Sequence, residues 1–227
     1  TMLSGNHHLD IMDSKNAADI LDNAMDSFLE PFADYSLIPS FQVCANAKKK
    51  IKVALSGDGG DELFFGYERF WSILKNRYFQ NFPYKLKYVI YGIDKLYSRN
   101  NYFNSNILFN SAGEAHRNLH SRFSKDWRNA IAPEIFKNNK FSNWSIYQFS
   151  DSLSKRKLAT NMRKAEFYGM MQKTLLKLDR VSMANSIEVR TPFLKKTMIE
   201  ATLSIDPWLN IKGQKRKSLL FELNNKR

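Results

Sequence analysis

Three carboxylates, Asp58, Asp61 and Glu62, crowd into the glycine-rich turn Ser56-Gly57-Asp58-Gly59-Gly60-Asp61-Glu62. Glycine accepts positive φ and lets a backbone approach a ligand closely, and successive N–H groups in such a turn bind anions. Carboxylates packed beside an anion-binding turn would repel a bare phosphate. A cation of the Mg²⁺ type resolves that repulsion, because it takes oxygen ligands from one or two carboxylates and from phosphates together. The turn is not a Walker A loop, since no Gly-Lys-Ser/Thr follows it, and the spacing of Asp58, Asp61 and Glu68 does not fit an EF-hand. Two readings stand at this point: a nucleotide and metal site, or an acidic surface turn between strand and helix.

The elements that would position this turn follow from periodicity. Ile51, Val53 and Leu55, with Ala54 between them, read as a buried strand of a parallel sheet ending at the turn. Ala18, Ile20, Leu21, Ala24, Met25 and Phe28 predict an amphipathic helix, with Ser14 as N-cap, that stops before Pro31. Residues 36–50 read as a second helix leading into the strand. From Asp61 to about Gln80 a third helical stretch is expected, interrupted near Gly66, and Pro83 starts another through Tyr97. Residues 98–112 are rich in Asn and Ser and read as a connection between a 1–97 part and a helical 113–227 part. Helical patterns recur over 113–131, 144–176, 177–186, 194–204 and 214–225.

A lone strand is not stable, so it needs a partner, and His7-His8-Leu9-Asp10-Ile11-Met12 is the extended segment that suggests itself. His7 and His8 would point to opposite faces there, which favours a structural role over metal ligation. The fold class is α/β, predominantly helical.

Longer strings carry a resemblance. Ser56 to Tyr67, SGDGGDELFFGY, resembles the SGDGGDELFGGY signature of the synthetase domain of glutamine-dependent asparagine synthetases. Lys177 to Leu194, KLDRVSMANSIEVRTPFL, is similar to that family's K-x-DR-x-SMA-x-S-x-E-x-R-x-PFL block, and Glu30 to Pro39 to its EPFAD-x-S-x-x-P block. The resemblance implies part of an adenine-nucleotide alpha-hydrolase-like (ATP pyrophosphatase) parallel-sheet domain. It also implies a reaction in which ATP adenylates a carboxylate, typically the aspartate side chain, and ammonia displaces AMP to leave an amide, with Mg²⁺ required.

Carried over by position, Ser56 and Gly57 match residues that contact the AMP part of ATP, Asp61 matches a Mg²⁺ ligand, and Asp58 stands at an acid important for adenylation. Glu62 reads as an accessory acid or a further Mg²⁺ ligand. Lys177, Asp179, Arg180, Glu188 and Arg190 read as salt bridges that fix their element against the loop, while Glu30 and Asp34 either reach a substrate or shape the strand entry.

Departures from the family pattern bound the expectation. The family's SGG-x-DS loop, its glutaminase domain and a lysine in an R-x-K-x-GF segment have no counterpart here, so the chain reads as a fragment truncated at both ends and inactive alone. Phe65 replaces a glycine of the signature, and Lys195 an aspartate. A relative amidating another carboxylate or a cell-surface sugar, and a non-catalytic module retaining the fold, remain alternatives.

Composition excludes several classes. A 43% hydrophobic and 14% aromatic content in 227 residues is that of a folding chain. The single cysteine, Cys44, rules out a disulfide framework, suits a cytoplasmic setting and lies in a helical pattern where a buried apolar role is expected. No run of about 18 apolar residues predicts a membrane span. The net charge of +13 comes from 35 Lys and Arg against 22 Asp and Glu. It is spread along the chain with runs at Lys48–Lys50, Lys155–Lys157 and Lys212–Lys217, and no nucleic-acid-binding motif accompanies it. A solvated basic face, or one that meets an acidic partner domain, is expected. Small-molecule substrates are the expected partners, with self-association through an uncovered strand to be tested.

Overall fold

The computed structural model describes residues 9, 11, 14–97, 105–120, 127, 130–134, 145–149, 154–211 and 215–225. These pack as two units, Thr1–Ser56 with Lys173–Pro192, and Gly57–Gln172 with Phe193–Arg227. The protein is mostly helical with a small parallel sheet, as the α/β assignment requires.

In the first unit, α1 (Ser14–Met25) and α2 (Leu37–Ala47) lead to β1 (Val53–Leu55). Asp34 sets the start of α2: its Oδ1 accepts the Ser36 backbone N–H at 2.9 Å and the Ser36 hydroxyl at 2.7 Å. Pro39 falls in the first turn of α2, where its missing N–H costs nothing. Ala24, Leu37, Cys44, Val181 and Ile187 form the buried core, with Phe28 stacked on Phe32 at its edge. Cys44 is thus the buried apolar residue expected.

The partner of β1 is β2 (Glu188–Arg190), parallel, with Val53 opposite Glu188 and Leu55 opposite Arg190. Of the His7–Met12 segment, only Leu9 and Ile11 fall among the described residues, and neither is in a strand. The strand is also less buried than its apolar run suggests: Ile51 is 44% exposed, Val53 43% and Leu55 75%. Two strands cover only part of each other, and among the described residues nothing else joins the sheet.

The second unit begins with α3 (Gly60–Phe64) and α4 (Glu68–Asn76), broken at Gly66 as expected, and a 3₁₀ turn Arg77–Asn81 follows. Next come α5 (Tyr84–Tyr97), a 3₁₀ turn Ser105–Leu108, α6 (Ala112–His120) and a 3₁₀ turn Ser145–Tyr147. Ser154 accepts the Lys157 N–H to cap α7 (Lys155–Ala165). The expected break at 176–177 is absent. Instead α7 passes through a π-helical turn, Glu166–Met170, into α8 (Met171–Ala184), whose later residues belong to the first unit. Beyond β2 lie a 3₁₀ turn Pro192–Leu194, α9 (Lys196–Ser204), α10 (Trp208–Ile211) and α11 (Ser218–Asn225). The core joins Phe65, Phe70, Ile73, Leu74, Leu158, Met162 and Ile211. Among the described residues no helix is long and apolar enough to cross a membrane.

Candidate functional site

The acidic turn is held by backbone bonds on both sides of the unit boundary. Ser56 donates its N–H to the Arg190 carbonyl at 2.8 Å, extending the ladder of the first unit by one residue. In the second unit the Gly60 N–H donates to the Gly57 carbonyl at 3.1 Å, and α3 starts from Gly59, whose φ is 89°. A Cβ on Gly59 would stand 2.5 Å from Leu194 Cδ2, so both conformation and packing select glycine. A Cβ on Gly57, by contrast, would meet nothing within 4 Å.

Asp58 and Asp61 are half-buried and Glu62 is buried. Asp61 Oδ1 pairs with Lys217 Nζ at 3.0 Å. A Cβ on Gly66 would sit 1.6 Å from that same oxygen and 2.5 Å from Lys217 Cε, so this glycine makes room for the pair. Lys217 itself has φ of 52°, the left-handed region that L residues other than Asn and Asp seldom occupy. It is fixed there because Ser218 donates its hydroxyl to the Leu209 carbonyl at 2.7 Å and Phe221 donates its N–H to the Lys217 carbonyl. Arg216 beside it bonds Glu68 at 2.9 Å. Part of the Lys212–Lys217 run expected to be a solvated face therefore pairs with the acidic loop and the helix after it.

Glu62 turns inward. Its Oε1 accepts the Tyr67 hydroxyl at 2.5 Å, and burial pushes its carboxyl up from the usual range. Burial, followed by the adjacent Glu62, pushes the Tyr67 phenol far above its ordinary value, so Tyr67 stays a donor. The Arg69 guanidinium stacks on the Tyr67 ring at 3.5 Å and forks onto Glu166, Nε to Oε1 at 2.9 Å and Nη2 to Oε2 at 2.8 Å. Phe65, which replaces a glycine of the signature, takes φ of 57° in the same turn; full burial against Phe70, ring centroids 4.9 Å apart, offsets the strain.

Glu166 lies in the π-helical turn and is completely buried. His116 Nε2 is 2.7 Å from Oε1 and His120 Nε2 2.9 Å from the same atom. Burial opposes its ionisation, but the nitrogens of His116, His120 and Arg69 hold the carboxyl well below its usual range. Burial in turn pushes the fully enclosed His116 down, towards the neutral ring. Sequence reasoning singles out neither histidine, although their spacing of four residues on a helix is a visible signal. Glu166 stands fifty residues from His116 and carries no local mark.

In the first unit Asp34 also binds Lys173 at 3.0 Å, and Lys177 Nζ is 2.6 Å from the Ser36 hydroxyl. The block from Lys177 to Arg190 makes one of the expected salt bridges among the described pairs, Glu188 with Arg190 at 2.8 Å, and both partners are largely exposed. The turn is thus entered through a backbone bond to Arg190. Glu30 is exposed.

The family model described as asparagine synthase matches residues 1–226. The chain is 28% identical over 198 residues to asparagine synthetase [glutamine-hydrolyzing] 1 of Bacillus subtilis, covering 85% of this chain and 31% of that protein. It is 28% identical over 191 residues to a putative asparagine synthetase [glutamine-hydrolyzing] 2 of Methanocaldococcus jannaschii, covering 78% of this chain and 34% of that one. A putative asparagine synthetase [glutamine-hydrolyzing] of Mycobacterium tuberculosis is 29% identical over 183 residues, covering 73% of this chain and 26% of that protein. The chain spans about a third or less of the length of these curated relatives. No solved structure matches it.

Proposed function

This chain belongs to the asparagine synthase family, and we propose that it forms part of an ATP-dependent amide ligase, with the aspartate side chain as the carboxylate. An oxygen of that carboxylate attacks the α-phosphorus of ATP and pyrophosphate leaves; ammonia then attacks the acyl carbon, AMP leaves, and the amide is asparagine. A carboxylate is a poor acyl donor until it carries such a leaving group, and the charge that builds at phosphorus has to be offset.

The observation that carries this reading is the Asp61–Lys217 pair at the glycine turn, an acid and a cation held together by Gly66 on a half-exposed loop. Asp61, with Asp58 and Ser56-Gly57 shortly before it in the sequence, fits a Mg²⁺–ATP complex in donor chemistry: half-buried carboxylates, and around Gly57 open space for a close-lying ligand. Bound Mg²⁺ would supply charge neutralisation at the phosphates. Asp61 would hold it, Ser56 and Gly57 would contact the AMP part, and Asp58 would serve the adenylation step. Lys217 would then offer its ammonium to the phosphate oxygens. Glu62, held inside by Tyr67, serves as an anchor of α3, which makes it a less apt Mg²⁺ ligand than Asp61. A glutaminase domain as the ammonia source, small-molecule substrates only, and a cytoplasmic setting complete the proposal.

The test is Mg²⁺-dependent binding of ATP to the chain, with AMP release in the presence of aspartate and ammonia followed in longer forms carrying these residues. Asp61→Asn should abolish the Mg²⁺ dependence, and Lys217→Ala should weaken nucleotide binding. Equal binding with and without Mg²⁺, unchanged by Asp61→Asn, would overturn the reading.

A further inference from the structure

We infer that His116, His120 and Glu166 form a binding site for one transition-metal dication of the zinc type, separate from the acidic turn. Their ligand atoms all lie within 4.8 Å of one another, and the three residues are almost wholly enclosed. Two imidazoles and a carboxylate suit zinc, with a fourth position left for water. Four-residue spacing puts both rings on one face of α6, and the π-helical turn aims Glu166 at them, a backbone feature concentrated at functional sites.

The hydrogen bonding gives a second, independent reason. Glu166 Oε1 has three nitrogens around it, Arg69 Nε at 2.9 Å, His116 Nε2 at 2.7 Å and His120 Nε2 at 2.9 Å. A carboxylate oxygen has lone pairs for two. His120 Nε2 is the surplus one: close in distance, buried, and without a hydrogen bond. A buried polar atom left in that state calls for an explanation, an ion among them. Zinc bonded to both Nε2 atoms and to Oε1 would use the lone pairs that the crowded arrangement cannot. Tetrahedral ligands at zinc bond lengths stand ~3.3 Å apart, so the two nitrogen–oxygen separations, 2.7 and 2.9 Å, need open by only about half an ångström.

Arg69 fits this arrangement through its other bond. Its Nη2 keeps Oε2 at 2.8 Å and so orients the ligating carboxylate, as outer hydrogen bonds to metal ligands do. The guanidinium also places positive charge beside the ion, so the site should bind more weakly than a thiolate zinc site. His120, whose side chain is 10% exposed, marks the side from which the ion and its water would enter.

The test is uptake of Zn²⁺ and Co²⁺ by the chelator-stripped chain. We expect one equivalent retained through gel filtration, visible Co²⁺ bands of four-coordinate intensity, and a melting temperature that rises with added Zn²⁺. His120→Gln, at the edge of the cluster, should keep the helical circular dichroism and lose all three. A variant with His7→Ala and His8→Ala should keep them, since that pair is the other source of imidazole in the chain, and so should Asp61→Asn, which separates this site from the proposed Mg²⁺–ATP site. Uptake well below one equivalent, or uptake that survives His120→Gln and is lost with His7 and His8, would overturn the inference.

Discussion

The strand of the first unit leaves apolar side chains in water, whereas the core of the second unit encloses titratable ones. Val53 and Leu55 of β1 are exposed, while Glu62, Glu166, His116, Lys87 and Arg163 of the second unit are at most 2% exposed. The contrast shows what burial demands of each kind of group. A charged side chain can be enclosed when fixed partners meet it: Lys87 donates to the Gln80 and Phe109 carbonyls at 2.9 and 2.7 Å, and Arg163 to those of Thr202, Leu203 and Ile205. An apolar strand needs only cover, and a two-stranded sheet supplies little of it.

The sharpest way to break the comparison is to remove one partner from the buried cluster. Arg69→Ala leaves Glu166 enclosed without its fork, and losing one member of a buried pair costs about 3–5 kcal/mol. Urea unfolding followed by tryptophan fluorescence reads this, because the tryptophans among the described residues, Trp71, Trp127 and Trp208, all lie in the second unit. A loss below about 1 kcal/mol would mean that water reaches the cluster and that these charges are not truly buried.

Next in size come the glycines of the turn. Gly66→Ala must displace Asp61 or Lys217, and Gly59→Ala combines a positive φ with a 2.5 Å contact to Leu194. Each should cost about 1–3 kcal/mol in urea midpoint measurements. Gly57→Ala has open space and no positive φ, so its cost should stay within about 0.5 kcal/mol. Equal costs at all three would refute the packing account of the loop.

The third effect belongs to the first unit and is set by pH. Burial alone would raise the Asp34 carboxyl, but the Ser36 hydroxyl and N–H and the ammonium groups of Lys173 and Lys177 outweigh it and bring it down to about 2, against an ordinary value of 3.8. A depressed carboxyl contributes stability that is complete above 3.8 and disappears as pH falls through 2. The contribution is about 2 kcal/mol. Stability of the parent and of Asp34→Asn, followed by far-ultraviolet circular dichroism, should therefore converge between about pH 4 and pH 2; about 2 kcal/mol remaining at the acid end would show that the carboxyl is not the titrating group.

What the sequence disclosed, and what it concealed, follows the range of the interactions. The apolar spacing of Ala18 to Phe28 and the Pro83 start carry α1 and α5, because helix bonds and helix faces are local. Val189 between Glu188 and Arg190 gives no strand signal: three residues with charged ends match a salt-bridged turn equally well, and only pairing with Val53–Leu55 decides between them. In the site, the glycine and acid types of the turn are legible, since their backbone demands are local. Lys217 is not, because its partner Asp61 is distant in sequence and a basic run looks the same whether solvated or paired. The Glu166 cluster is hidden for the same reason, apart from the spacing of His116 and His120.

The smallest expected effect tests the exposed side of the comparison. Leu55 is 75% exposed, so Leu55→Thr removes few contacts and introduces a β-branched residue suited to a strand. Folding stability should change by no more than about 0.5 kcal/mol. Association should change more, because an exposed apolar strand that among the described residues is paired on one edge alone, by β2, is a template for a second chain or for a further segment of its own. Light scattering over a concentration series should show less self-association in Leu55→Thr than in the parent, with urea midpoints alike. If instead the substitution costs more than about 1 kcal/mol, Leu55 is covered in solution, and the exposure of β1 is a property of the isolated strand pair that a neighbouring surface removes.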